Sequence, residues 1–369
     1  MSTVAPRHGA QPRPYETAPP LAWPARQPTG GEALWQRWLV RLSWINLALV
    51  VVAMLLICFV SEQWWLSGVL TYLPRAPLAF PAIVLLAASL LTRPKLAWIQ
   101  LMSIALVAVP IMGLTLPIGT AVPAPAAGRT PLRIISGNLQ EGQPSLIRAI
   151  DEINRFEPDI IVLQETARGC EDLDTEFASW DRVHLGPFFV ASRYPVRVVD
   201  HCRAKAFDRW SCLLLEVETP DGLVLVANVH LMTPRHGATG INVSSPITGD
   251  GVDEFEWHQE LRLQEAAETR EFLESYHDRP LILCGDFNTP STSTHYAANW
   301  SGLQNSFDLA GHGYGYTSPC NTNRVWPSNT PWVRIDHILA DAEWAVHDCR
   351  IGTRDASDHR LMFAELSLK

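Results

Sequence analysis

Hydrophobic positions divide this chain into two parts of different character. In the N-terminal part they form three blocks without a charged residue, at 42–60, 76–91 and 96–118. A helix rises ~1.5 Å per residue, so the first and third blocks are long enough to cross the hydrocarbon core of a bilayer. We predict three transmembrane helices within residues 36–120. A signal sequence or buried helices of a soluble protein are the alternatives.

The flanks of these blocks predict how the chain is oriented. Residues 1–35 are rich in proline and lack apolar periodicity, so we predict a disordered tail. Arg37 and Arg41 precede the first block, and Arg93 and Lys95 separate the second from the third. Basic residues concentrate on the cytoplasmic side of membrane proteins. We therefore predict a multi-pass membrane protein, with the loop 61–75 and the C-terminal domain outside the cytoplasm.

Residues 129–369 show the short apolar runs of a folded α/β domain. Runs of four to eight apolar residues bounded by turn residues predict strands, and apolar spacing of three to four predicts helices. The predicted strands are 132–136, 159–165, 188–192, 197–200, 212–219, 223–230, 281–283, 333–339 and 361–368. The predicted helices are 146–156 and 256–276. The segment 232–254 has no such pattern and is long for a plain loop, so we predict a lid or substrate rim there.

Polar side chains follow several of these predicted strands where each run ends. An acid, amide or imidazole stands at Asn138, Glu165, His230, Asp286, Asn288, Asp336, Asp358 and His359. Each one alone is also compatible with a solvated strand end or an ordinary turn. The carboxyl ends of parallel strands meet at one edge of a sheet, so their joint occurrence predicts a shared cleft.

The order of these motifs resembles the endonuclease/exonuclease/phosphatase superfamily, the DNase I-like fold, and within it the membrane-tethered bacterial subgroup. The motifs are Ser136-Gly137-Asn138, Leu163-Gln164-Glu165, Ser192-Arg193-Tyr194-Pro195, Asn228-Val229-His230, Gly285-Asp286-Phe287-Asn288, Arg334-Ile335-Asp336-His337 and Ser357-Asp358-His359. The resemblance implies a four-layer α/β sandwich with the site at one edge of two packed sheets. It also implies cleavage of phosphate esters with a divalent metal, usually Mg²⁺, with Mn²⁺ as an alternative.

The residue types agree with a metal site of this kind. Mg²⁺ prefers oxygen ligands and is commonly held by one or two carboxylates together with water. Glu165 is the best candidate ligand, and Asn138 and Asp358 complete the site directly or through water.

The remaining polar residues suit hydrolysis of a phosphate ester. Asp286 would align or deprotonate the attacking water, and Asn288 would hold that water or a phosphate oxygen. His359 would face the phosphate as a cation or as an acid–base group, with Asp336 hydrogen-bonded to its other ring nitrogen. His230 would donate to a phosphoryl oxygen or to the leaving group. Either Asp286 or His359 could be the base.

The charge of residues 129–369 bears on the class of substrate, and their cysteines bear on the cellular compartment. Residues 129–369 contain 21 basic and 35 acidic residues, a formal charge of −14, so long nucleic acids are disfavoured as substrates. The six cysteines of this part permit disulfides in an oxidising compartment without indicating a pairing. We therefore favour a membrane-anchored phosphohydrolase or phosphodiesterase acting on a lipid or polyprenyl phosphate headgroup. The alternatives are an extracytoplasmic nuclease and a non-catalytic anchored binding module.

Overall fold

The computed structural model describes residues 30–116, 124–242, 244–276, 278–320 and 329–369. The helices are α1 (Gly30–Leu55), α2 (Trp65–Tyr72), α3 (Phe80–Thr92), α4 (Ala97–Leu106), α5 (Leu146–Phe156), α6 (Asp172–Glu176), α7 (Arg235–Ala238), α8 (Ser245–Thr248), α9 (Val252–Glu274), α10 (Thr294–Trp300) and α11 (Ser306–Ala310). The strands are β1 (Leu132–Asn138), β2 (Ile160–Gln164), β3 (Asp181–Leu185), β4 (Phe188–Ser192), β5 (Val196–Ala204), β6 (Arg209–Thr219), β7 (Gly222–His230), β8 (Leu281–Asp286), β9 (Gln304–Asn305), β10 (Asp336–Ala340), β11 (Trp344–Ile351) and β12 (Met362–Leu368).

Apolar helices occupy most of residues 30–116, a stretch called here the membrane segment after the prediction of transmembrane helices. Within the described residues, Leu34–Gln63 and Pro94–Ile111 are long and apolar enough to cross a membrane. Between them, Trp65–Tyr72 and Ala76–Thr92 meet at an angle of 95° and make a third span only if the bent pair counts as one. The prediction of three apolar helices is therefore compatible with the structure, with a break in the middle one.

Three predicted boundaries in this region need correction. The predicted loop 61–75 contains α2, because its polar residues are satisfied locally: the Ser67 hydroxyl donates to Ser61 O at 2.7 Å. The first helix begins at Gly30, inside the predicted tail, whose residues 1–29 lie outside the described part. The third apolar helix ends at Ile111 rather than at 118, because Gly113 takes the left-handed conformation, with φ +76°, that commonly ends a helix.

Two packed sheets form the centre of the C-terminal domain. In the described residues the strand orders are β11-β12-β1-β2-β4-β3 and β5-β6-β7-β8-β10-β9. Alternate residues of each central strand face opposite layers. Ile282 and Cys284 of β8 pack between the sheets, whereas Leu281 and Leu283 pack against the outer helices.

Helices cover both outer faces of the two sheets. Residues of α5 and α6 share a core with the outer face of β1 and β2, and residues of α9 and α10 share one with β7 and β8. The layers are thus helix, sheet, sheet and helix, which confirms the predicted four-layer α/β sandwich. The sequence pattern missed β3 and β11, because both are edge strands whose outward positions carry charges such as Asp181 and Arg350.

A buried histidine supports the strand that carries the site. His337 in β10 is fully buried, and its Nε2 lies 2.9 Å from Thr289 O. Its Nδ1 lies 3.3 Å from Asn305 Nδ2, and its ring packs against Phe287 and Tyr296. Burial lowers the pKa of His337 to about 4, so the imidazole is neutral in the folded protein.

We expect His337 to make the folded domain sensitive to acid. Folding lowers the pKa of His337 from an ordinary 6.5 to about 4. Its contribution to the free energy of unfolding is therefore complete above pH 6.5 and is lost as the pH falls toward 4. The loss is up to ~3 kcal/mol. Chemical denaturation of the detergent-solubilised protein near pH 7 and near pH 4.5 measures it. His337→Gln should lose less unfolding free energy over this range, and an equal loss in both proteins would contradict the assignment.

Candidate active site

Strand register places the predicted site residues at one edge of the sandwich. In one sheet β7 and β8 are parallel and pair His230 with Asp286, and the antiparallel β10 pairs Asp336 with the same Asp286. In the other sheet the parallel strands β1 and β2 end together, with Asn138 opposite the residue that precedes Glu165. The ends of both parallel pairs therefore meet in a single cleft.

The turn after β8 bends the chain back so that Asn288 binds Asp286. Gly285 has φ +147°, and a Cβ there would lie 1.9 Å from Val229 O, so only glycine fits. Asn288 has φ +51°, a left-handed conformation that asparagine adopts more readily than most residues. Its backbone N–H donates to Asp286 Oδ1 at 2.9 Å, and its amide donates to Oδ2 at 3.0 Å and to Leu231 O at 2.8 Å.

Asp286 is a buried carboxyl group whose pKa is raised toward neutral pH. Its side chain is almost inaccessible to solvent, and Asn138 Nδ2 adds a further donor at 3.2 Å. Burial, together with the nearby Asp336 carboxylate, raises the pKa of Asp286 to about 7, although the neighbouring His359 acts in the opposite direction. A carboxylate whose pKa lies near neutral pH is suited to accept a proton from water.

His359 is held as an imidazolium by two carboxylates. Its Nδ1 lies 2.8 Å and 3.1 Å from the two oxygens of Asp336, and its Nε2 lies 3.3 Å from Ser318 Oγ and 3.9 Å from Asp286 Oδ2. Burial lowers the pKa of His359, but Asp336 and Asp286 outweigh it and raise that pKa to about 10. The ring is therefore a cation at neutral pH and can face an anionic substrate.

His230 is a neutral imidazole, whereas His359 is a cation. Its Nε2 lies 3.5 Å from Glu165 Oε1 and 3.8 Å from Asp286 Oδ2. Burial lowers the pKa of His230 to about 3, and the positive charges of Arg209 and His359 contribute. A neutral imidazole can donate one hydrogen bond without adding a charge.

Two groups of residues are candidates for holding a divalent ion. Ligand atoms of Asp286, Asp336 and His359 lie within 4.8 Å of one another. His359 nevertheless fits poorly as a ligand, because its Nδ1 bonds Asp336 and a protonated imidazole has no lone pair to offer. Glu165 fits better, since its side chain is 36% exposed and faces the cleft with space for coordinated water.

Asn138 and Asp358 differ in how they could support an ion at Glu165. The oxygen of Asn138 accepts the Gln140 N–H at 2.9 Å, so its amide nitrogen faces Glu165 Oε1 at 2.8 Å. Asn138 thus orients the Glu165 carboxylate instead of presenting its own oxygen. Asp358 lies on the wall of the same cleft and keeps one oxygen 3.7 Å from Arg235 Nη2, so it can add a second carboxylate.

A cavity of about 780 Å³ opens over these residues. Of the eight predicted site residues, those on its wall are Glu165, His230, Asp286, Asn288, Asp358 and His359. Asn138 and Asp336 lie behind the wall, where Asn138 hydrogen-bonds Asp286 and Asp336 hydrogen-bonds His359. The wall also contains Arg209, Arg235, His236 and His258, which no sequence motif marks as site residues. Arg235 and His236 do fall in the aperiodic segment predicted as a substrate rim.

Comparison with known protein families covers the residues of this cleft. The model of the Endonuclease/Exonuclease/phosphatase family matches residues 135–359, a range that includes every predicted site residue. No curated protein matches the sequence.

Similar solved structures include an endonuclease/exonuclease/phosphatase from Beutenbergia cavernae, with 18% identity over 65% of this chain and 72% of that chain and a TM-score of 0.43. The human Nocturnin catalytic domain with bound sulfate has 17% identity over 65% and 98%, with a TM-score of 0.47. Danio rerio (D. rerio) TDP2 in complex with a single-strand DNA product has 15% identity over 64% and 99%, with a TM-score of 0.48.

Proposed function

Because this chain belongs to the endonuclease/exonuclease/phosphatase family, we propose that it hydrolyses phosphate esters and that its substrate is the headgroup of a membrane lipid. Members of the family are typically phosphoesterases and generally use divalent metals. The observation that carries the proposal is the buried Asp286, which faces the imidazolium of His359 in the cavity that Glu165 also lines.

The charge states of the site residues assign a role to each. Asp286 accepts the proton of the attacking water, and Asn288 holds the carboxylate in place through two hydrogen bonds. The imidazolium of His359, oriented by Asp336, stabilises the charge that develops on the phosphoryl oxygens. Neutral His230 donates to an oxygen of the phosphate or of the leaving group. A divalent ion at Glu165 would supply further positive charge to the phosphate.

The membrane segment supports a substrate drawn from a lipid surface, because it touches loops near the site. The Tyr316 hydroxyl donates to Met112 O at 3.1 Å, and Thr115 and Gly313 exchange two backbone hydrogen bonds of 2.9 Å. Arg75 Nη1 donates to Thr292 Oγ1 at 2.9 Å, four residues beyond Asn288. These contacts hold the cleft beside the apolar helices, and we propose that it faces the outer leaflet of a bacterial inner membrane.

The wall of the cavity adds a second reason to favour a lipid. Phe207 lines the cavity, is 65% exposed and packs edge to face against Trp257, which is 50% exposed. Exposed aromatic side chains of this kind are suited to contact the acyl or prenyl part of a lipid. The formal charge of −14 over residues 129–369 would repel the backbone of a long nucleic acid.

Parallel assays on two substrate classes test this proposal. The purified full-length protein is incubated with Mg²⁺ and vesicles that contain phospholipid or polyprenyl phosphate, and separately with plasmid DNA. We expect release of the lipid headgroup or phosphate and no nicking of DNA. DNA cleavage without lipid turnover would favour the extracytoplasmic nuclease instead, and inactivity on both would favour a binding module.

We expect the metal requirement to depend on Glu165. Chelation by EDTA should abolish activity, and added Mg²⁺ should restore it. Glu165→Gln should raise the Mg²⁺ concentration for half-maximal activity by ~10-fold or more, because a neutral amide binds hard cations weakly. Titration of activity with Mg²⁺ measures this shift. Glu157→Gln, at the exposed C-terminal end of α5, is the matched control and should titrate like the wild type. An unshifted Glu165→Gln curve would remove Glu165 from the metal site.

A further inference from the structure

Helix α9 buries polar and charged side chains at positions where an amphipathic helix normally buries apolar ones. Gln259, Arg262 and Glu265 are each less than 5% exposed. Burial of an unpaired charge costs on the order of several kcal/mol, so buried charges in proteins are usually paired and hydrogen-bonded. These residues are therefore expected to make specific contacts, and their hydrogen bonds show which.

On one side, α9 holds the ends of the two strands that carry the site. Arg262 Nε donates to Met232 O at 3.0 Å, and its Nη2 donates to Asn288 O at 2.7 Å. One helical turn later, Glu265 accepts the backbone N–H of Met232 and pairs with Arg209. Arg209 in turn donates to His230 O at 3.2 Å. The guanidinium of Arg262 thus fixes the carbonyl of Asn288, whose left-handed backbone directs its amide to Asp286.

On its other side, the same guanidinium binds the membrane segment. Arg262 Nη2 donates to the Tyr72 hydroxyl at 2.9 Å, and that hydroxyl donates to Glu62 Oε1 at 2.8 Å. The guanidinium also lies 5.2 Å from the centre of the Tyr72 ring. Phe255 of α9 packs on Gly68 of α2, where a Cβ would come within 2.9 Å of the phenyl ring. The contact between α9 and α2 is therefore close as well as polar.

We propose that Glu62, Tyr72 and Arg262 form a brace through which the membrane segment positions Asn288 for catalysis. Glu62 is buried, and its second oxygen accepts a hydrogen bond from Thr294 Oγ1 at 3.1 Å. In the brace, the Tyr72 hydroxyl donates to the negative Glu62 and accepts from the positive Arg262. Glu62, Tyr72 and Arg262 do not line the cavity, and only Arg262 bonds residues of its wall, through the carbonyls of Met232 and Asn288. They are therefore positioning residues. The inference rests on the proposed hydrolysis at this site, and it makes the apolar helices part of the active-site scaffold and not only an anchor.

Removal of one hydroxyl group tests the brace in the full-length protein. Tyr72→Phe keeps the ring on Arg262 but deletes the bonds to Arg262 and Glu62. With the soluble diester bis(4-nitrophenyl) phosphate as probe, we expect kcat to fall ~10-fold with KM unchanged, because a small misplacement of Asn288 and Asp286 affects the reaction more than binding. Hydrogen exchange of residues 285–292, read by mass spectrometry, should become faster.

A second tyrosine offers a matched control at the same contact region. Tyr316→Phe also deletes a hydroxyl that reaches the membrane segment, at Met112 O, but it leaves Arg262 and Asn288 untouched. It should retain the kcat and the exchange of the wild type. The single variant Glu62→Gln keeps an acceptor for the Tyr72 hydroxyl, so it should retain most of the wild-type kcat that Tyr72→Phe loses.

The outcomes separate the brace from the proposed function. A wild-type kcat in Tyr72→Phe would overturn the brace, and so would an equal loss in Tyr316→Phe. If the wild type turns over neither the probe nor lipid, the proposed hydrolysis fails, and hydrogen exchange alone decides the brace. In that case unchanged exchange in Tyr72→Phe would overturn it, and faster exchange at residues 285–292 would support it.

Discussion

Replacement of Asp286 by asparagine should lower kcat by ~10³- to 10⁴-fold while the protein stays folded. Asparagine has the same size and keeps an oxygen that can accept the Asn288 N–H, but it cannot take a proton from water. Because burial raises the pKa of Asp286 to about 7, the ionised carboxylate is disfavoured in the fold. Removal of this charge offsets the loss of the hydrogen bonds that Oδ2 accepts from Asn138 and Asn288, so the domain should stay folded. Steady-state kinetics and thermal unfolding of both proteins measure the two expectations.

The control for Asp286→Asn is the same chemical change at Asp221, at the end of the sheet away from the cleft. Asp221 lies in the turn between β6 and β7, where its carboxylate accepts the Thr130 N–H at 2.8 Å. Asp221→Asn should leave kcat unchanged. If Asp286→Asn retained more than a tenth of the wild-type kcat, another group would have to accept the proton of the attacking water.

Replacement of Asp336 by asparagine should lower kcat by ~10³-fold, the second largest effect we expect. Asp336 orients His359 through bonds of 2.8 Å and 3.1 Å and is the main group that raises the pKa of that ring. Without this carboxylate the pKa of His359 falls, so the ring loses its proton at a lower pH. Activity that in the wild type persists until pH approaches about 10 should then decline at a lower pH. A pH–rate profile of both proteins measures the shift.

A double variant shows whether Asp336 acts only through His359. If it does, the combination of Asp336→Asn with His359→Gln should be no slower than His359→Gln alone, because the carboxylate has lost the ring on which it acts. Additive losses would instead indicate that Asp336 contributes to the reaction by itself. A pH–rate profile for Asp336→Asn that matches the wild type would equally contradict the assigned pairing.

Much of the site could be predicted because its chemistry stands at the ends of apolar strands. Asn138, Glu165, His230 and Asp286 each follow or end a run that is buried on both faces, so the runs are visible in a single sequence. Parallel pairing then brings the ends together, as the register of His230 with Asp286 shows. The helix predicted at 146–156 also has the observed bounds of α5, because its apolar spacing and the capping residue Ser145 are local signals.

The sequence by itself therefore determined the family of folds, the polar strand ends and the apolar helices, all of which depend on local pattern and order. Only the tertiary structure decided which atoms of these residues meet. The nitrogen of Asn138 faces Glu165 because Gln140 binds its oxygen, and Arg262 reaches Tyr72 across 190 residues of chain. The role of a buried charge depends on its partners in space, and side chains distant in sequence leave no periodic signal of such pairing.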